Sequence, residues 1–201
     1  MSAIQKRIHE AALRLFAQKP MAEINISELA QSAGLARNTV YKHLDSIDKL
    51  LATLATDLAS EMNQRVSQST ATATDPAVRL ANGIRFYVRR AHEEPHWGRF
   101  LQRYGMSLAS LQALWDGPLV ADVTAGLFSQ RYQFKQEQLL AVIGLIGAAV
   151  LGAITLVVQG QRTWRDAGAD TAELILRALG VPQADAQVLA NLELPALPEL
   201  I

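Results

Sequence analysis

Two groups of side chains in this 201-residue chain have the types and spacing to do chemistry. The first is His92-Glu93-Glu94-Pro95-His96, which spells H-E-x-x-H. On an unbroken helix those two histidines share a face and can hold zinc, with the glutamate as general base. Pro95 lies between them, and its ring and missing N–H break such a helix. The extended form of the motif also fails, because position 102 is Gln102. No metal site and no enzyme are therefore expected, with incidental metal binding by His92 and His96 as the remaining alternative. The second group is Arg37, Asn38, Thr39, Tyr41, Lys42 and His43. Two cations, an amide, a hydroxyl and two polar aromatics have few reasons to be buried. They are the groups that read base edges in a major groove and grip phosphates. The chain has no Cys, which removes thiol nucleophiles, Cys-ligated zinc and iron–sulfur clusters. No P-loop, Gly-rich dinucleotide fingerprint or G-x-S-x-G run is present, so no cofactor is expected.

A reading surface needs a rigid element beneath it. Residues 26–51 supply one: a short helix, a tight turn at Ala33-Gly34-Leu35, and a second short helix from about Arg37 to His43. Gly34 provides the positive φ of a sharp turn. Ala30, Leu35 and Val40 are spaced to pack the two helices together. Ser27 reads as the N-cap of the first, covering Glu28 to Ala33. Ser46 reads as the cap of a long helix to about Gln68, with Asp48 in its first turn. The competing reading is an ordinary helical corner with a solvated polar face. Elsewhere helical periodicity is nearly continuous and strand signals are nearly absent. Helices are expected over about 3–18, 76–94, 96–114 (one or two), 119–132, 135–159 and 169–179, with an irregular tail. The fold class is all-α with roughly nine helices.

From Ile26 onward the segment resembles the DNA-binding domain of the TetR family of transcriptional repressors. The resemblance rests on Leu29-Ala30, Ala33-Gly34, Thr39-Val40-Tyr41-Lys42-His43 and Ser46-x-Asp48-x-Leu50. Ala12 and Leu15-Phe16 of the first helix match as well, so the motif covers about residues 4–55. Three positions depart from the family. Ala36 replaces the cap hydroxyl before the recognition helix, a loss of about 1 kcal/mol of helix stability. Leu44 replaces a Phe. Ile47 replaces the phosphate-contacting Lys, with Lys49 two residues on as the substitute. The resemblance implies a three-helix N-terminal domain, residues 1–48, followed by a larger effector-binding and dimerisation domain, residues 49–201. It implies a cytoplasmic homodimer that binds palindromic double-stranded DNA and is released by a small-molecule effector. Arg37 and Lys42 are expected to carry much of the affinity, Arg37 with the larger base-specific share. Thr39, Tyr41 and His43 are expected on phosphates beside Asn38, with Ser27 and Lys49 flanking. For Tyr41, packing against the first helix is an equally good reading.

The middle helices carry Phe86, Tyr87, Arg90, His92, Trp97, Phe100, Arg103, Tyr104 and Trp115. Aromatics mixed with a few cations suit an effector cavity, and each could equally be ordinary core. Leu139–Val158 holds no charged residue and is long enough to cross a bilayer. Its seven Gly and Ala residues, its bare flanks and the lack of a second span favour a buried or interfacial helix. Leu140, Gly144, Ala148, Leu151, Gly152, Leu174 and Ile175 are the expected dimer contacts, and no membrane partner is expected. A single-span membrane protein and a helical interaction protein that has lost DNA binding are the alternatives. The zero net charge divides unevenly. Residues 1–55 hold seven Lys and Arg against five Asp and Glu, while residues 56–201 hold twelve against fourteen. A mildly basic DNA-facing part predicts weak non-specific binding and a shallow dependence of affinity on salt.

Overall fold

Ser2 opens the first helix, α1 (Ala3–Gln18), through a reciprocal cap. Its hydroxyl accepts from the Gln5 N–H at 3.2 Å, and the Gln5 amide oxygen accepts from the Ser2 N–H at 2.9 Å. A computed structural model describes residues 2–109, 111, 115 and 117–199. Helix α1 buries Ile8, Ala11, Ala12, Leu15 and Phe16 in the core and packs on α2 (Ile26–Ala33), against which α3 (Arg37–His43) packs in turn. The cap of α2 is Asn25, whose side chain accepts from the Glu28 N–H at 3.0 Å, and not Ser27, which sits exposed in the first turn. Asn caps as well as Ser does. The earlier start also brings Ile26 onto the inner side, where it packs on the core.

Helix α4 (Ile47–Thr70) starts at Ser46, as its sequence predicts, and runs from this head into the body. The body comprises α5 (Pro76–Glu93), α6 (Pro95–Tyr104), α7 (Pro118–Phe128), α8 (Leu139–Val158), α9 (Trp164–Ala178) and α10 (Gln183–Asn191). Helix α5 lies centrally against α8 and α9, α10 packs on α9, and α6 reaches back onto α1. No strand occurs among the described residues.

The described α-helices number ten, one more than periodicity suggests. Helix α10 escapes because it is short and buries only Ala186, Leu189 and Ala190. Helix α9 begins five positions earlier than expected, capped by Thr163, whose hydroxyl accepts from the Asp166 N–H at 3.1 Å. Helix α6 stops at Tyr104, and residues 110 and 112–114 of the longer expected helix lie outside the described residues. Helix α7 ends at Phe128, short of Tyr132, because Gln130 takes a φ of 58°. The chain then folds back so that the Tyr132 N–H reaches the Gly126 carbonyl at 3.0 Å. A β-carbon at position 126 would overlap the buried Tyr132 ring. Gly126→Ala is therefore expected to cost about 1–3 kcal/mol. Urea unfolding checks this, and an unshifted midpoint would show that the ring is free to move.

The tail after α10 is irregular yet fastened. Arg65 Nε donates to the Pro198 carbonyl at 2.8 Å, and Ser69 Oγ donates to the Ala196 carbonyl at 2.7 Å. Leu194 and Leu197 pack against the core. Helix α8 is long and apolar enough to cross a membrane, yet half of its apolar window is buried within the chain. Val142, Ile143, Ile146, Val150, Ile154 and Val157 point inward.

Candidate nucleic-acid interface and ligand cavities

The turn between α2 and α3 is built on Gly34 at φ 63°, ψ 36°, a left-handed C-cap. Two arginines of α1 hold it from below. Arg7 donates to the Ala33 carbonyl at 2.8 and 3.1 Å and to the Gly34 carbonyl at 2.6 Å, and Arg14 donates to the Ser32 carbonyl at 3.3 Å. These bonds satisfy carbonyls that the end of α2 would otherwise leave open, at the end where a cation suits the helix dipole. Nothing local in the sequence signals them.

On α3, Val40 is buried, Thr39 is half-buried, and Arg37, Asn38, Tyr41, Lys42 and His43 are exposed. Arg37 Nη2 donates to Tyr41 Oη at 3.0 Å and its guanidinium lies 5.4 Å from the Tyr41 ring centre. Tyr41 thus braces Arg37 and is about half exposed. Ala36 offers α3 no side-chain cap. Lys42 has no ion-pair partner among the described residues, so its charge is available to a phosphate. Lys49 pairs with Asp45. Their hydrogen bond and opposite charges hold the Asp45 carboxyl below, and the Lys49 ammonium above, their ordinary values. Both are fully exposed, where such a pair is worth little and exchanges readily for a phosphate. Ile47, in the position of the family's phosphate lysine, is half-buried against the core.

The aromatic and basic residues expected at an effector site are not gathered in one place. Phe100, Tyr104 and Arg103 form a seam between α6 and α1. The Phe16 ring lies 6.4 Å from Phe100 and 6.3 Å from Tyr104, and Arg103 donates to the Gln18 carbonyl at 3.3 Å. Burial pushes the Tyr104 phenol above its ordinary value. Arg90 is 3% exposed and saturated by carboxylates. It meets Glu61 of α4 at 3.0 and 3.1 Å and Glu94 at 3.0 and 3.1 Å, and lies 4.7 Å from the Trp97 ring centre. Arg65 joins the same acids. Phe86 and Trp97 are fully buried core. His92 lies in an outer groove, apart from the rest. Helix α5 ends at Glu93 and α6 starts at Pro95, so His92 and His96 belong to different helices and the H-E-x-x-H face does not exist.

Tyr87 and Trp115 do come together. Their rings lie 5.9 Å apart at 29°, and burial pushes the Tyr87 phenol far above its ordinary value. Tyr87 Oη donates to Asn63 Oδ1 at 3.4 Å and Trp115 Nε1 donates to the Gly105 carbonyl at 3.1 Å. On one side of Trp115 is a cavity of about 50 Å³ lined by Asn63, Ile84, Leu119, Ile146 and Val150, with the Arg79–Asp122 pair (2.6 Å) at its edge. On the other side is a second cavity of about 250 Å³ against Met106, Leu140, Ile143 and Gly144. Gly147 makes room for the indole, since a β-carbon there would sit 3.2 Å from it. Asn63, Arg79 and Asp122 carry no sequence pattern that marks them as cavity residues.

A three-helix head with cations and an amide exposed on its second short helix, joined to a helical body, defines a helix-turn-helix DNA-binding regulator. Comparison with known proteins gives the family. Residues 8–54 match "Bacterial regulatory proteins, tetR family" and residues 75–191 match "Tetracyclin repressor-like, C-terminal domain". The chain belongs to the TetR family and is a transcriptional regulator. An uncharacterised HTH-type transcriptional regulator of Mycobacterium tuberculosis is 32% identical over 89 residues, a match spanning 44% of this chain and 44% of that protein. RolR in complex with resorcinol superimposes with a TM-score of 0.76 at 23% identity, covering 97% of this chain and 96% of that one. FadR of Bacillus subtilis in complex with stearoyl-CoA gives 0.74 at 16% identity, covering 85% and 97%. At these identities the two structures share the fold.

Proposed function

We propose that the chain is a cytoplasmic repressor, without enzymatic activity, that binds palindromic operator DNA as a homodimer and is released by a small-molecule effector. The observation that carries this reading is the exposed face of α3, with Arg37 braced by Tyr41 beside Asn38 and Lys42, which has no ion-pair partner among the described residues. Residues 1–48 act as the reading head and residues 49–201 as the effector and dimer body. Ser27, Thr39, His43 and Lys49 supply flanking phosphate contacts. One short helix reads few base pairs, and two heads about 34–36 Å apart read both halves of a palindrome.

The second copy covers the outer face of α8 and α9. Leu140 is 84% exposed and Leu174 61%, and Gly144, Leu145, Ala148, Gly152 and Leu156 complete an exposed stripe. Covering that stripe with a second copy accounts for the apolar helix without a membrane. Ile175 is 4% exposed and belongs to the chain's own core, and Leu151 leans on Gly105, so neither is a principal contact.

The effector enters beside Tyr87 and Trp115. The inner cavity holds little more than a water molecule or two, so a ligand must displace the Trp115 indole and join the two cavities. RolR and FadR, which share this fold, form complexes with resorcinol and stearoyl-CoA, which supports a small-molecule effector here. A ligand shifts α4 only through a different affinity for the two states. The seam Phe16–Phe100–Tyr104 and the Arg90–Glu61 pair connect α5 and α6 to α1 and α4.

Recovery of a palindrome from fragmented genomic DNA by the purified protein tests the reading. Arg37→Ala should then lose about 1–3 kcal/mol on that site, measured by fluorescence anisotropy. Unchanged operator binding by the variant would overturn the assignment of α3.

A further inference from the structure

On the side of α5 away from Trp115, a groove of about 720 Å³ runs between α5, the start of α9 and the tail. Its charged lining is Arg85, Arg89 and His92 with Glu93 from α5, Arg165 from α9 and Glu193 from the tail, around Trp164. Two of its guanidinium groups lack a carboxylate partner among the described residues. Arg89 is answered by Glu93 at 2.7 Å and lies 5.6 Å from the Trp164 ring centre, but Arg85 makes only a marginal bond of 3.5 Å to Asn82, and Arg165 lies on the same ring, 4.4 Å from its centre.

Arg85 is the informative member. It is half-buried, and loss of water lowers the proton affinity of its guanidinium. Helix α9 lies against the Arg85 stem at Gly168, where a β-carbon would make ordinary contact at 3.4 Å. Four other buried or half-buried arginines of the body behave differently. Arg65, Arg79, Arg90 and Arg131 each meet a carboxylate at 3.1 Å or closer. A desolvated guanidinium with unused donors carries a cost that an oxyanion in the groove would relieve.

We propose that this groove binds an organic oxyanion, its carboxylate or phosphate held by Arg85 and Arg165 and its apolar part set beside Trp164. The volume suits a metabolite-sized ligand. The site stands apart from the cavities at Trp115 and does not rest on them. It also stays open in the proposed dimer, because Arg165 and Leu174 are nine positions apart on α9, about half a turn around the helix axis. A regulator with this groove would answer two chemically different signals, one between α4, α5, α7 and α8 and one between α5 and α9.

Calorimetric titration of the full chain with 2-naphthoate and with inorganic pyrophosphate tests the proposal. Saturable binding of either probe is expected, weakened about tenfold or more in Arg85→Gln and in Arg165→Gln. Arg162→Gln, whose native partner is Asp170, is expected to bind as the unaltered chain does. Pyrophosphate alone binding would assign the site to phosphates, and naphthoate alone to aromatic carboxylates. Arg165 is exposed, so its variant keeps the test alive if Arg85→Gln folds poorly by circular dichroism. Absence of saturable binding by both probes, or binding that survives Arg165→Gln undiminished, would overturn it.

Discussion

A chain carrying Ala148→Glu and Leu174→Glu is expected to run as a monomer at micromolar concentration and to lose operator affinity by about 100-fold or more. Both positions are exposed, so the protomer itself should fold with little change. In a two-fold interface every substitution occurs twice, so four carboxylates would be brought into an apolar seam. Ala148 sits mid-stripe between Gly144 and Gly152, where only small side chains allow two helices to approach closely. The DNA penalty follows from separation of the heads, since the second half-site is then bound from solution and not from a fixed distance. Light scattering after size exclusion reads the first effect and anisotropy on a full palindrome the second. Binding to an isolated half-site should persist. A variant that stays dimeric would move the interface to another face.

Trp97→Ala should lower the unfolding free energy by about 3–5 kcal/mol. Trp97 is fully buried at the first turn of α6, 5.9 Å from the Tyr87 ring and 4.7 Å below the Arg90 guanidinium. Its indole N–H makes no hydrogen bond among the described residues. Truncation therefore removes packing and cation–π attraction without stranding a polar partner. Trp97→Phe should recover most of the loss for the same reason, which separates shape from polarity. Denaturant unfolding of the three proteins decides it. A loss under about 1 kcal/mol would mean that the surroundings of Trp97 are not tightly packed.

What could be read from sequence and what could not differ in range. The α2–turn–α3 unit was legible because its signals are local: Gly34 at a left-handed cap, Val40 inward, Ser46 capping α4. Ser27 was a near miss, as Asn25 caps equally well two residues earlier. The Arg7 and Arg14 bonds to the end of α2 were invisible, because they join residues 26, 27 and 18 positions apart. Composition also could not sort the aromatics. Trp97, Phe100 and Tyr104 share one helical face, and only the tertiary partner decides that Phe100 and Tyr104 meet Phe16 while Trp97 meets Tyr87. Leu174 and Ile175 differ by a 100° step, which turns one outward and the other into the core. The outer groove did leave a trace. Arg85, Arg89, His92 and Glu93 recur at helical spacing as one polar stripe of α5, which reads as plain solvated surface until Trp164 and Arg165 are placed opposite.

The fastening of the tail sets an order of events during synthesis. The innermost donor of Arg65 finds its acceptor at Pro198, 133 positions later. The contacts among the three helices of the head join residues near in sequence, and such local contacts form quickly, although Phe16 waits for Phe100 and Tyr104 of α6 to cover it. Helix α4 is different. When it leaves the ribosome, the backbone oxygens that Arg65 and Ser69 bind, and the Leu194 and Leu197 side chains of the same segment, have not yet been made. Until they arrive, those polar groups are left to water and the helix lacks its last neighbours. The turn that carries the reading helix can thus form while the rod that aims it is still loose, and its aim is fixed among the last acts of folding.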